Sequence, residues 1–165
     1  MSEAISRRPG EASHPNVGLL DKLYTSIMTG DADSTAACYA PDAYFEDIAF
    51  RLKTRKDICD MWSMVCEAKP QVSFNQLVAD DTSGSGHWVA RYTFRETNLP
   101  VVNDIVSEFT FENGLIRRHV DHCNPLRWGL QAYGFPKGLV AGLLGSYRRK
   151  KAQEKLESFV RRTAA

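Results

Sequence analysis

The sequence predicts one α+β domain in which three helices precede an antiparallel sheet. Two observations carry this. Apolar residues recur every three or four positions as far as Pro70 and every second position from Val72 onward, the change of period that accompanies a change from helix to strand. Turn-forming residues then separate the later runs, at Asp80 to Gly86 and at Asn113-Gly114. A chain of 165 residues with ordinary apolar and charged content can bury one proper core and leaves no room for a second full domain.

Residues 1–15 are polar with no apolar run, so they read as a disordered N-terminal segment without a signal peptide or membrane span. Val17, Leu20, Leu23, Tyr24, Ile27 and Met28 form one face of a first helix ending near Gly30. Asp31 to Tyr39 reads as a second, short helix stopped by Pro41, and Ala43 to Ile48 as a short strand carrying Glu46 and Asp47. Thr54 with Asp57 resembles a capping box for a third helix, whose stripe is Ile58, Met61, Trp62, Val65 and Cys66 and which Pro70 ends.

Val72, Phe74, Gln76 and Val78 make the first alternating strand set, and Trp88, Ala90, Tyr92 and Phe94 the next. A third strand sets Ile105, Ser107, Phe109 and Phe111 on one side and Asp104, Val106 and Glu108 on the other. Asn113-Gly114 folds the chain back into a strand from about Leu115 to Cys123. Helices therefore cover one face of the sheet, giving a core domain over 16–134.

Charge divides the chain after Gly134. Before it stand 13 basic and 18 acidic residues, after it 8 basic and 2 acidic, a body of −5 and a tail of +6. Residues 135–165 form a basic amphipathic helical extension, with Leu139, Val140, Leu143, Leu144, Tyr147, Leu156, Phe159 and Val160 at helical spacing around Arg148-Arg149-Lys150-Lys151. Gly138, Gly142 and Gly145 weaken its first half as an isolated helix by roughly 1 kcal/mol each. Such a helix can pack over a pocket mouth or a subunit interface, or lie on an anionic membrane as a peripheral contact. One run of four charges is too short to argue for nucleic acid.

Cys38, Cys59, Cys66 and Cys123 lie too far apart for a zinc or redox Cys-x-x-Cys pattern and read as buried free thiols, with a reducing cytoplasm the default compartment. No Gly-rich phosphate loop, His-x-x-x-His pair or serine nucleophile elbow is present, so no metal or organic cofactor is expected. His119 and Asp121 lie two apart on a strand and leave the same face of the sheet. If that face lines an apolar cavity, Asp121 can exchange protons with a substrate near neutral pH; the alternative is a structural carboxylate bonded to backbone or Arg. The aromatic alternation at Trp88, Tyr92 and Phe109 fits a pocket for a flat apolar ligand and fits a packed core equally well, as does Trp62.

The stretch Arg118-His119-Val120-Asp121, then Asn124-Pro125-Leu126, then Gln131 and Gly134, resembles the closing strand of the SnoaL-like polyketide cyclases, where a His-Trp-Asp triplet precedes Asp-Pro-Leu and Gln-x-x-Gly. Leu20 to Gly30, the Tyr39-Ala40-Pro41-Asp42-Ala43 turn, Glu46-Asp47 and the helix start from Thr54 to Trp62 resemble the same nuclear transport factor 2-like superfamily, which includes ketosteroid isomerases and limonene epoxide hydrolases. The resemblance covers roughly 17–134. It implies a cone-shaped curved sheet that encloses a pocket with the three helices, and a homodimer through the sheet's outer face. It implies Asp121 as general acid/base with His119 beside it, and Asp47 as a base that takes a proton next to a carbonyl. The isomerases' two oxyanion donors fall near Leu23 or Tyr24 and on Ser107, and the epoxide hydrolases' Arg and second Asp on Arg91 and Thr93.

The expected pocket is therefore lined by Tyr24, Trp62, Trp88, Tyr92, Ser107 and Phe109. The expected function is cofactor-free acid–base chemistry, isomerisation or aldol-type cyclisation, on a small apolar carbonyl compound. The alternative is a non-catalytic ligand-binding or assembly module of the same fold, membrane-associated through the basic tail.

Overall fold

The computed structural model describes residues 13–164; the N-terminal segment expected to be disordered lies outside them as far as residue 12. Helix α1 (Pro15–Thr29) begins with Pro at its first position, the His14 ring accepting from Asn16 N–H, and ends at Gly30 in the left-handed conformation. Helix α2 is only Ala32–Ala36. The chain is already extended by Tyr39, in strand β1 (Tyr39–Glu46), so the expected helix from Asp31 to Tyr39 is too long. Pro41 is tolerated in the strand because the pairing of β1 shifts register between Tyr39 and Tyr44, leaving no ladder bond for the missing N–H.

Strand β2 (Arg51–Leu52) and helix α3 (Arg55–Glu67) follow, the latter capped as expected by Thr54 Oγ1, which accepts from Asp57 N–H. Then come β3 (Gln71–Ala79), β4 (Ser83–Phe94), β5 (Leu99–Glu112) and β6 (Leu115–His122). The six strands form one curved sheet in the order β2-β1-β6-β5-β4-β3, antiparallel except for β1 beside β6. Asn113 and Gly114 both take positive φ, as the two-residue turn between β5 and β6 requires.

The alternation in β3 does not persist through Val78. Gln76 has a φ of 54° and sits in a register shift between Asn75 and Val78. The extra residue turns the strand over, so Leu77 packs against the core while Val78 is 57% exposed.

Past the sheet lie α4 (Pro125–Tyr133), α5 (Lys137–Leu143) and α6 (Gly145–Thr163). The core sits between the inner sheet face and α1 and α3, and Leu156 of α6 joins it. The basic helix is thereby drawn onto its own acidic body: Lys155 pairs with Glu96 at 2.9 Å and Arg162 with Glu67 at 2.8 Å. Among the described residues no helix is long and apolar enough to cross a membrane.

Candidate active site

The register of the inner strands assembles the site. Parallel pairing sets Phe45 of β1 beside His119 of β6 and Glu46 beside Val120, so Asp47, one residue past the end of β1, and Asp121 of β6 come next along the two chain segments. On the other flank of β6, Ser107 of β5 lies directly opposite Asp121.

His119 is fully buried and Asp121 is 6% exposed. His119 Nε2 lies 2.8 Å from Asp121 Oδ1, and its Nδ1 lies 2.8 Å from the Tyr39 hydroxyl, which accepts from Trp62 Nε1–H at 3.2 Å. In the neutral ring these partners select the Nε2–H tautomer: the carboxylate can only accept, and the Tyr39 proton is left to donate to Nδ1. Ser107 also donates to Asp121 Oδ1 and itself accepts from the Tyr24 hydroxyl at 2.7 Å and from Trp88 Nε1–H at 3.1 Å. Burial pushes the Tyr24 hydroxyl well above the ordinary tyrosine range, with the nearby Asp121 charge adding to it.

All these bonds fall on Oδ1. Among the described residues the only fully buried side-chain polar atom without a partner is Arg149 Nε, so the second Asp121 oxygen is not sealed off. Asp121 borders a cavity of about 810 Å³. Trp88 and Tyr92 of β4, Trp62 of α3, Asp47 and Arg148 also border it.

Asp47 is arranged in the same manner. Its Oδ1 accepts from Ala49 N–H at 2.7 Å and Phe50 N–H at 2.5 Å, closing the β1–β2 loop. This is why the strand stops at Glu46 instead of running to Ile48. Burial pushes its carboxyl up to about 6; the two amide bonds pull the other way, and the Asp121 charge adds to the rise. The Tyr92 hydroxyl accepts from Trp128 Nε1–H at 2.9 Å, and its own proton has no acceptor among the described residues.

Of the nine residues expected from sequence, Asp47, Asp121, Trp62, Trp88 and Tyr92 border the cavity. His119, Tyr24, Ser107 and Phe109 stand one layer behind, the first three in the network that holds Asp121 and Phe109 with its ring 4.4 Å from that of His119. Tyr24 and Ser107 spend their hydroxyl protons on that network, so neither offers one to the cavity as an oxyanion donor. Arg91, where the resemblance set the epoxide hydrolases' arginine, is exposed on the outer face and does not border the cavity.

Sequence reasoning missed α4, which brings Trp128 to Tyr92. Its signal was present: Asn124 is the N-cap, accepting from Arg127 N–H at 3.0 Å, and Pro125 occupies the first turn. Gln131 of the quoted motif bonds both the N–H and the carbonyl of Val102 on β5, which fixes α4 to the sheet. Arg148 was also missed as a site residue, because it opens a run of four cations that reads as solvated. Among the described residues no group of three or more His, Cys, Asp or Glu side chains is placed to hold a metal ion.

A curved six-stranded sheet packed against several helices is the nuclear transport factor 2-like α+β cone fold. Within that class the SnoaL-like domain family matches residues 20–119, and the chain belongs to it. Three solved structures illustrate the likeness. A candidate polyketide cyclase from Xanthomonas campestris pv. campestris is 19% identical with a TM-score of 0.61, over 72% of this chain and 96% of its own. A candidate isomerase from Bacillus subtilis is also 19% identical at 0.61, over 73% and 94%. A hypothetical protein with a ketosteroid isomerase-like fold from Catenulispora acidiphila, in complex with trimethylamine, is 10% identical at 0.57, over 78% and 95%. At these identities the likeness is one of fold alone. Comparison with curated proteins finds no match.

Proposed function

We propose that the protein is an acid–base enzyme acting without a cofactor on a small apolar carbonyl compound, by isomerisation or aldol-type cyclisation. One observation carries the reading: Asp121 of β6 and Asp47, one residue past the end of the neighbouring β1, border the same cavity, each with one oxygen pinned by hydrogen bonds and the other free. Membership of the SnoaL-like family and the likeness in fold to a candidate polyketide cyclase and a candidate isomerase support it.

The chemistry follows from the geometry. A carboxylate oxygen takes a proton from the carbon next to the substrate carbonyl, and the electron pair moves onto the carbonyl oxygen. The Tyr92 hydroxyl, polarised by the Trp128 N–H, is the donor available to that oxygen. Returning the proton to a different carbon completes an isomerisation; attack of the enolate carbon on a second carbonyl completes a cyclisation. A carboxyl group near 6, as at Asp47, can both take and return a proton at neutral pH. His119 acts as a positioning residue, holding Asp121 Oδ1 from behind.

The test is exchange of the α-protons of 2-tetralone in heavy water, followed by proton NMR. Exchange above the buffer rate, lowered about 100-fold in D47N or D121N, supports the reading. A second reading is a ligand-binding module, favoured by the tie of Asp121 Oδ1 to Ser107, His119 and Trp88 within the core. Tetralone binding with exchange no faster than in buffer would establish that reading and sink the first.

A further inference from the structure

Arg148 comes from α6, beyond the residues matched by the family. Although it opens a run of four cations it is only 8% exposed, and it borders the cavity. Its Nε donates to the Ile48 carbonyl at 2.6 Å, and its Nη1 to the Ala141 and Gly142 carbonyls at 2.7 and 3.1 Å. Those are main-chain dipoles, and no carboxylate among the described residues lies within ion-pair distance.

The contrast with the cavity rim is sharp. Arg95 and Arg162 pair with Glu67, Lys155 with Glu96 and Lys151 with Glu154. Arg148 Nη2 donates to none of the described residues, and it is not among the fully enclosed polar atoms. Burial, with the neighbouring Arg149 cation adding to it, holds the guanidinium below its usual range, and the Asp47 charge offsets this only in part. Removing a charge from water costs several kcal/mol unless charge and hydrogen bonds are supplied in return. Three carbonyls supply part of this, and a ligand oxygen bearing negative charge would supply the rest.

We propose that Arg148 Nη2 receives the carboxylate of an apolar acid whose hydrocarbon body fills the cavity, so that a keto acid is bound in preference to the corresponding neutral ketone. The proposal rests on reading the cavity as the substrate site. Because Nε and Nη1 are committed to main-chain carbonyls, the contact is made through one nitrogen and not through the guanidinium fork. The same residue ties ligand to architecture: its other bonds join α5, α6 and the loop that carries Asp47, so an acid at Nη2 consolidates all three.

The experiment titrates the full-length protein with 2-naphthoate and with 2-naphthamide, a matched acid and neutral amide, following tryptophan fluorescence at neutral pH. The wild type is expected to bind the acid about tenfold more tightly or better, the worth of one charge-assisted hydrogen bond. R148Q is expected to erase the preference, bringing the ratio of the two affinities to about one. Equal affinities in the wild type, or a preference that survives R148Q, overturn the proposal and leave the acid–base reading standing. Failure of both probes to bind overturns the proposal, and the tetralone exchange separately decides the acid–base reading. If R148Q does not fold, the Arg148 Nε–H resonance of the wild type decides: a shift with naphthoate alone supports the proposal, and no shift or equal shifts with both probes overturn it.

Discussion

Tyr39 and His119 meet through a 2.8 Å hydrogen bond across 80 residues of sequence, in a relay that starts at the Trp62 indole and ends on the Asp121 carboxylate. The relay gives the carboxylate a fixed orientation from a fully buried partner, which a surface histidine could not do. Tyr39→Phe removes its middle hydroxyl and leaves the indole N–H and His119 Nδ1 without partners in the core. The expected loss is about 1–3 kcal/mol of stability by denaturant unfolding. Nitrogen NMR of the wild type is expected to show His119 protonated on Nε2; the opposite tautomer would refute the direction of the relay.

The raised carboxyl of Asp47 makes a pH-dependent prediction. Its value rises from an ordinary 3.8 to about 6 on folding, so the folded state prefers the protonated acid. That preference contributes fully below the unfolded value and is lost as pH rises through about 6. At pH 8 a charge is held where burial disfavours it, at a cost of up to about 3 kcal/mol for a two-unit shift. Asp47→Asn keeps an oxygen for the Ala49 and Phe50 amides and carries no charge. Thermal unfolding should show the variant more stable than wild type at pH 8, with the gain shrinking towards pH 4.5. A gain independent of pH would refute the assignment.

Two glycine-to-alanine changes should move stability in opposite directions. A Cβ on Gly138 of α5 would lie 2.5 Å from the Gly129 carbonyl oxygen of α4, backbone against backbone, so the helices must separate. The expected cost of Gly138→Ala is about 1–3 kcal/mol. Gly18 of α1 has nothing within 4 Å of its added Cβ, and Gly18→Ala should stabilise by about 0.5–1 kcal/mol. Chemical denaturation of both variants checks the pair.

Leu156 is the apolar anchor of α6, 4% exposed, whereas Lys150 on the same helix is exposed. Leu156→Ala should cost about 2–3 kcal/mol and speed amide hydrogen exchange throughout α6. Lys150→Ala should change neither. Unchanged exchange in the leucine variant would mean that the rim ion pairs alone hold the helix.

Much of this was legible in the sequence because it is local. The stripes of α1 and α3, the Asn113-Gly114 turn and the shared face of His119 and Asp121 depend on residues a few positions apart. What was illegible depends on contacts between distant segments. The reversal at Gln76 leaves no mark in composition and shows only as Val78 facing outward. Arg148 reads as one cation among four, and its burial follows from the approach of α5, whose Gly138 and Gly142 allow backbone contact with α4. Those glycines, judged by propensity alone, argue against a helix. Their spacing is better read as the mark of two helices in contact.

With Asp121 on β6 and Asp47 one residue past the end of the parallel strand β1, both at the same cavity, the proposed chemistry also carries a stereochemical expectation. A flat molecule lying over the sheet presents the same face to both groups, so a proton taken by either is returned to the side it left. Under the proposed acid–base chemistry, rearrangement in this cavity is expected to be suprafacial, with a deuterium label on that side of the substrate staying on that side in the product.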